Sequence, residues 1–323
     1  MTTIRVQGKQ AGMALLFGGC SFIGLLHGEA LAQGHRFQAT NVCELTATEL
    51  SKACGFEVQD SAKVAMANCL NLLDPQAAAD CKIAVGVART EGNTHCAVVR
   101  DAREDVCDKL GTGAYDPAIN PANFVAGINN RYTPFPPGAF RVYEKQTPEG
   151  LERIRIEVLP ETRQIMGVTT TTLRDTVTLN DVVVEDTLDW LAQDVQGNVW
   201  YFGELVQNFE NGVLRNLNGS FEAGKDGDKA GFWSTAFPQV GDFYRQEWSL
   251  ANAEDVVEVM SLDARDEIVP FSRSGTGPIL KTMATTPMSP VVELKYYVPG
   301  IGFALEVKPA TGERLELVDY GPR

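Results

Sequence analysis

Residues 169–204 read TTTTLRDTVTLNDVVVEDTLDWLAQDVQGNVWYFGE, and this stretch decides the fold of the larger part of the chain. Residues 169–178 and 182–186 alternate between apolar and polar side chains, which is the period of a half-buried strand. Asn180-Asp181 and Gln196-Gly197-Asn198 separate such segments, and these residue types favour tight hairpin turns. The stretch therefore predicts consecutive antiparallel strands joined as a meander.

The same alternation continues over residues 140–323, with about ten segments of strand character and further turn signals such as Asn211-Gly212 and Asn218-Gly219. Closure into a barrel removes exposed strand edges. We therefore expect an antiparallel β domain at 140–323, a rolled sheet or barrel of about ten strands. A two-sheet sandwich is the alternative.

Six of the seven cysteines lie in residues 33–110 and are spaced as a palindrome, with gaps of 11, 15, 12, 15 and 11. Two antiparallel helices folded about Pro75 would place three pairs of cysteines at matching heights. The pairs are Cys43–Cys107, Cys54–Cys96 and Cys69–Cys81. An even number of cysteines at such spacing is typical of a disulfide framework in an oxidising compartment.

The turn of this helical hairpin carries its own signals. Asp74 suits the cap of the second helix and Pro75 its first position. The segments Gly55 to Asp60 and Gly92-Asn93 predict a break in each helix, which would make four shorter helices. Residues 111–139 are rich in Pro, Gly and Asn, so we expect a linker there that packs against the β domain.

Residues 1–32 have the three parts of a secretory signal. Arg5 and Lys9 supply the positive region, residues 11–26 are apolar, and Ala30-Leu31-Ala32 suits cleavage before Gln33. No other segment is apolar enough to span a bilayer. The expected location is periplasmic or secreted.

The formal net charge is −14 at pH 7. An acidic protein of this kind repels nucleic acid and anionic membrane surfaces. The small partners that it favours electrostatically are cations.

Four segments carry a resemblance to a known family. They are 130–144, 194–204 (DVQGNVWYFGE), 240–247 and 295–302 (KYYVPGIG). Together they resemble an uncharacterised family of exported bacterial β-rich proteins. The last segment is also similar to the closing hairpin of lipoprotein-carrier-like half barrels. The resemblance implies export and a β fold, and it implies no catalytic residue.

Several kinds of chemistry are excluded from the β domain, because no His or Cys follows Cys107. A Ser-His-Asp triad, a Cys-His pair and a zinc site all need those side chains. What remains is oxygen chemistry, and seven carboxylates stand near the longest glycine-rich loop: Glu204, Glu210, Glu222, Asp226, Asp228, Asp242 and Glu247. Seven aromatic residues are candidates for a pocket wall or for core packing: Trp190, Trp200, Tyr201, Phe202, Trp233, Tyr244 and Trp248.

Three uses of these groups are open. Two carboxylates facing one cleft hydrolyse glycosides when they are about 5–10 Å apart. Asp226 and Asp228 are candidate calcium ligands, since calcium prefers oxygen donors. Cleavage before Gln33 would make His35 the third residue, a terminus that suits copper or nickel. The alternative for Asp226 and Asp228 is a solvated turn that binds no metal. The alternative for His35 is a flexible tail with an incidental histidine.

The leading hypothesis is an exported, non-enzymatic binding protein. Its β domain would hold a small or apolar ligand, or an envelope protein partner, and the hairpin would serve as a stapled spacer or docking module. The absence of His and Cys from the β domain motivates this hypothesis. The alternative is a carboxylate-based hydrolase or a calcium- or copper-binding envelope protein.

Overall fold

A computed structural model describes residues 41–273 and 277–322 of the chain. The expected signal sequence, its cleavage site and His35 lie outside these residues. The chain begins as two long antiparallel helices, α1 (Val42–Leu70) and α2 (Pro75–Leu110). None of the described helices is long and apolar enough to cross a membrane.

The helical hairpin carries the three predicted disulfides. Cys43–Cys107, Cys54–Cys96 and Cys69–Cys81 join the helices, with Cα–Cα separations of 5.7, 5.8 and 5.5 Å. At the turn, the Asp74 side chain accepts the backbone N–H of Gln76 at 3.1 Å and Pro75 opens α2. The nested pairing and this cap are confirmed.

The predicted helix breaks are wrong, because α1 and α2 each run without interruption. Gly92 lies at a close contact between the two helices: a Cβ atom on it would fall 2.9 Å from Cγ2 of Val58. Its missing side chain therefore permits helix contact. Interior glycine costs a helix about 1 kcal/mol, and interhelical packing offsets a cost of that size.

The rest of the described chain is almost entirely β structure. Eighteen strands are formed: β1 (Phe124–Val125), β2 (Ile128–Asn129), β3 (Pro134–Phe135), β4 (Phe140–Thr147), β5 (Gly150–Ile165), β6 (Val168–Leu179), β7 (Val182–Asp194), β8 (Val199–Glu210), β9 (Val213–Asn216), β10 (Phe221–Glu222), β11 (Lys229–Ser234), β12 (Phe243–Arg245), β13 (Glu247–Trp248), β14 (Val256–Ser261), β15 (Leu280–Thr286), β16 (Ser289–Val298), β17 (Gly302–Lys308) and β18 (Glu313–Gly321). A 3₁₀ turn, Pro121–Asn123, precedes β1.

These strands form a nearly closed antiparallel barrel. The hydrogen-bonded order is β12-β14-β15-β16-β17-β18-β4-β5-β6-β7-β8-β11-β13. Its two ends are successive parts of one segment: β12 pairs with β14, and β13, two residues further on, pairs with β11. The predicted antiparallel meander and rolled sheet or barrel are confirmed. More strands are present than the ten expected, partly because residues 124–135 add three short ones.

Two hairpin turns follow directly from their sequence. Asn180 and Asp181 have φ of 50° and 65°, and Asn211 and Gly212 have 53° and 73°. Consecutive left-handed residues define the type I′ turn, whose twist matches that of the flanking strands. The first turn joins β6 to β7 and the second joins β8 to β9, so the long β6–β7 pairing that builds part of the site depends on the Asn180-Asp181 turn.

The base of the hairpin is fixed to the barrel by charged and aromatic contacts. Arg103 forms a buried ion pair with Glu254, and Lys109 pairs with Glu258. Nζ of Lys109 also lies 4.6 Å from the ring centroid of Phe243 in β12. The hairpin and the barrel therefore share an interface.

Candidate functional site

The barrel contains a partly open cavity of about 580 Å³. Its wall comes mainly from β4–β8, β11 and β16–β18, together with residues 246, 247 and 255. Because side chains alternate across a strand, residues two apart share the interior face. Glu185, Thr187 and Asp189 follow this rule on β7, and Glu293, Lys295 and Tyr297 follow it on β16.

Part of the cavity wall is apolar and aromatic. Phe135, Leu173 and Tyr201 line the cavity and also belong to one buried core cluster, against which Trp233 packs. The ring centroids of Tyr201 and Trp233 are 5.0 Å apart in an edge-to-face arrangement. This wall offers ring faces and aliphatic surface to an occupant.

A second part of the wall is acidic. We call Asp175, Glu185, Asp189 and Glu204, which come from β6, β7 and β8, the carboxyl cluster. Asp189 and Glu204 lie directly opposite each other in the β7–β8 ladder. Side chains in that relation have Cβ atoms about 4.5–5.5 Å apart, and like charges there are destabilising.

A bulge in β8 brings Glu204 to this position. The pairing with β7 shifts between Trp190–Gly203 and Leu191–Tyr201, so Tyr201 and Glu204 both line the cavity although they are three residues apart. Gly203 has φ 133°, and a Cβ atom on it would lie 2.2 Å from the backbone oxygen of Phe221. Only glycine fits a bulge packed this closely.

The carboxyl cluster makes few hydrogen bonds. The Tyr201 hydroxyl donates to Oδ1 of Asp189 at 2.5 Å, and the Thr187 hydroxyl donates to Glu185 at 3.0 Å. Oδ1 of Asp175 is buried and has no hydrogen-bond partner. None of the four carboxyl groups forms an ion pair with a Lys or Arg in the described ranges 41–273 and 277–322.

Burial raises the pKa of several of these carboxyl groups. It raises the pKa of Asp189 to about 7 and, helped by the charges of Glu247 and Asp189, the pKa of Glu204 to about 10. The pKa of Asp175 lies well above its ordinary range for the same reason, with Asp189 and Glu185 adding repulsion. Burial, with the charge of Asp255, also raises the pKa of Glu247. Glu204 is thus largely protonated at neutral pH, and burial favours the protonated forms of Glu247 and Asp175.

The two basic residues of the cavity are engaged elsewhere. Nζ of Lys295 lies 3.1 Å from Glu293 and 3.8 Å from Glu306. Burial opposes ionisation of Glu293, but the ammonium groups of Lys295 and Lys308 outweigh it and lower the pKa of Glu293. Arg141 donates to the backbone oxygens of Ile301 and Pro134. The carboxyl cluster is left without a counter-charge from either residue.

The seven carboxylates singled out from the sequence do not form one site. Glu204 and Glu247 line the cavity. Glu210 pairs with Arg215 on the surface, and Glu222 pairs with Arg163 and Lys225. The other three lie in turns outside the cavity: Asp226, Asp228 and Asp242.

The seven aromatic residues also divide. Tyr201 and Trp233 line the cavity. The others pack elsewhere: Trp190, Trp200 and Phe202 around a second core cluster, Tyr244 at a third, and Trp248 against Arg245 at the hairpin base. The core interpretation therefore holds for five of the seven.

The predicted metal sites stay predictions. Asp226 and Asp228 lie in the turn between β10 and β11, where the Asp228 backbone N–H donates to the Lys225 carbonyl at 2.8 Å. Within the described part of the chain, no three His, Cys, Asp or Glu side chains are grouped as metal ligands. His35 lies outside the described residues.

Sequence reasoning missed most of the cavity wall. The missed charged residues are Arg141, Asp175, Glu185, Asp189, Asp255, Glu293 and Lys295. Alternation on β6 and β7 was the available signal, since it places Asp175, Glu185 and Asp189 at inward positions. Alternation alone does not show which face of a strand is inside, so these positions could not be assigned to the cavity.

Comparisons with known proteins add little. No family model matches the chain, and no curated protein is similar to it. One solved structure is distantly similar, a protein from Bacteroides fragilis provisionally described as exported with a YmcC-like fold. It shares 13% identity at a TM-score of 0.31, covering 59% of this chain and 99% of the other. The resemblance to a family of exported β-rich proteins stays an expectation.

Proposed function

We propose that this protein is a non-enzymatic binding protein that works outside the cytoplasm and holds a small molecule inside its barrel. The cavity of about 580 Å³ in the barrel carries the proposal. Ligand sites typically measure about 300–1,000 Å³ and combine an apolar wall with a few polar groups. The wall of Leu173, Tyr201 and Trp233 beside the carboxyl cluster has that composition.

The disulfides support the location. Three bridges in one hairpin are typical of proteins that mature in an oxidising compartment, such as the periplasm or the extracellular space.

The hairpin in this proposal is a module held together by disulfides and fixed to the barrel at its base. Its turn is free of contacts with the barrel at Leu73, which is fully exposed, at 101% of the reference area.

A thermal-shift experiment with a cavity-filling variant tests small-molecule binding. Ile156 lines the cavity and is partly buried, so Ile156→Trp places an indole in the void. Val213→Trp adds the same ring at a surface position that is 59% exposed. Hexanol, hexylammonium, hexanoate and their benzyl analogues serve as ligands.

The proposal predicts that at least one compound raises the melting temperature of the parent and of Val213→Trp but not of Ile156→Trp. Binding to the native state alone produces such a shift. If no compound discriminates between the two variants, the cavity is not a binding site.

One observation favours a second candidate function, a carboxylate-based hydrolase. Asp189 and Glu204 face one cavity from opposed positions, and their pKa values, about 7 and about 10, are set apart. Acid and base roles are divided in this way in many hydrolases. Hydrolysis of nitrophenyl glycosides that is lost in Asp189→Asn would support this candidate, and no hydrolysis by the parent would remove it.

A further inference from the structure

The carboxyl cluster contains four acidic side chains and no Lys or Arg that pairs with them in the described part of the chain. Asp189 and Glu204 are directly opposed, and Asp175 and Glu185 line the same cavity. Lys295 is held by Glu293 and Glu306, and Arg141 by backbone carbonyls. An ionised carboxylate in a buried site is costly unless a positive charge accompanies it. The cluster therefore favours a cation brought from outside the chain.

Asp175 adds an observation that does not depend on charge counting. Its Oδ1 is buried at the cavity wall and accepts no hydrogen bond in the described structure. Most buried polar atoms have a partner, so each exception calls for an explanation. A rotation of the Asp175 carboxyl group would bring this oxygen within reach of an N–H donor on a molecule in the cavity.

The remaining wall indicates what else such a molecule carries. Tyr201 and Trp233 present aromatic rings next to the carboxyl cluster, and Leu173 lies opposite Asp189 in the β6–β7 ladder. Aromatic faces attract organic cations, and aliphatic side chains favour a hydrocarbon body. A cavity of about 580 Å³ is much larger than a single metal ion needs. No described group of side chains is arranged as a metal site.

We propose that the cavity selects an organic ammonium ion, whose N–H groups donate to Asp175, Asp189 and Glu204 while its apolar body packs on Leu173, Tyr201 and Trp233. This assignment rests on the proposed function, because it names the ligand class for the same cavity. The cationic head supplies the charge and the hydrogen-bond donors that the wall lacks.

Isothermal titration calorimetry with three probes of equal length tests the assignment: hexylammonium, hexanol and hexanoate. We expect hexylammonium to bind at least about tenfold more tightly than hexanol, a ratio that corresponds to about 1.4 kcal/mol. Hexanoate should bind most weakly. Glu204→Gln and Asp189→Asn should each remove most of the preference for hexylammonium over hexanol.

Glu210→Gln is the matched control, because it removes the same group from an exposed position on the same strand. It should bind all three probes as the parent does. If hexanol or hexanoate binds the parent as tightly as hexylammonium, the cationic assignment is overturned and small-molecule binding survives. If no probe binds the parent, the cationic assignment is overturned, and the proposed function then stands or falls on the benzyl compounds of the thermal-shift series. Equal losses in Glu210→Gln and Glu204→Gln would also overturn the assignment, since the effect would then be general charge attraction.

Discussion

The Tyr201 hydroxyl donates a hydrogen bond of 2.5 Å to Oδ1 of Asp189, and the two side chains come from adjacent strands of the barrel. Both residues are almost fully buried, with 2% and 7% exposed. Burial raises the pKa of Asp189 to about 7, and this hydrogen bond keeps it from rising further. The protonation state of Asp189 near neutral pH therefore depends on the hydroxyl group of Tyr201.

Tyr201→Phe should raise the pKa of Asp189 above about 7, because the carboxylate loses its donor while the ring that packs against Trp233 is kept. Carbon-13 NMR titration of the aspartate carboxyl groups measures this change. Tyr143→Phe is the control, since its hydroxyl donates to the Phe303 backbone within the same cavity. An Asp189 titration that is equal in the two variants would refute the role of Tyr201.

Glu204→Gln should stabilise the protein at alkaline pH. The pKa of Glu204 is raised from 4.5 to about 10, so between these values the folded state binds a proton that the unfolded chain releases. The free energy of unfolding of the parent therefore falls as pH rises through this window. Denaturant unfolding near pH 5 and pH 9 should show similar stability at the lower pH and a more stable variant at the higher one. Parallel profiles for parent and variant would contradict the prediction.

The ion pair at the hairpin base should show strong coupling. Nε and Nη2 of Arg103 donate to the two carboxylate oxygens of Glu254 at 3.0 and 2.5 Å. Both residues are buried, with exposed fractions of 7% for Arg103 and 2% for Glu254. Arg103→Met leaves a buried carboxylate unpaired and should cost about 3–5 kcal/mol. Adding Glu254→Leu should recover part of this loss in denaturant unfolding. A double variant that loses the full sum of the single effects would mean that the two residues act independently.

The middle disulfide should hold the helices together away from the barrel. Cys54–Cys96 joins them near the contact of Gly92 with Val58. Replacing both cysteines by alanine opens a loop with a sequence separation of 42 and should destabilise the hairpin by about 4 kcal/mol in the chain-entropy model. Hydrogen exchange should then accelerate in the middle of α1 and α2 and stay unchanged in β5–β8. Unchanged protection in the helices would show that interhelical packing alone is sufficient.

Much of the fold could be predicted from short-range signals. The palindromic cysteines indicated the hairpin pairing because two helices of fixed rise bring equal sequence distances to equal heights. Asn180-Asp181 indicated a hairpin turn because few residue types accept two successive left-handed conformations. The helix breaks were predicted wrongly because a glycine in sequence does not reveal whether a partner helix packs against it, as Val58 packs on Gly92.

The candidate site was less accessible to sequence reasoning. Alternation shows that Glu185 and Asp189 share a face of β7, but it does not show which face is inside. The side chains of Leu188 and Trp190 on the opposite face are covered by Phe124 and Ile165, which lie far away in the sequence. The bulge at Gly203 then changes the face of Glu204 relative to Tyr201. Both effects depend on long-range pairing.

Proton release on ligand binding tests the central claim most directly. An ammonium ion in the cavity favours ionised carboxylates, so Glu204, which holds a proton at neutral pH, should lose it when hexylammonium binds. Titration calorimetry near neutral pH in two buffers of different ionisation enthalpy measures the number of protons exchanged. We expect the parent to release protons on binding hexylammonium and Glu204→Gln to release fewer. Binding without proton exchange, or with proton uptake, would contradict it.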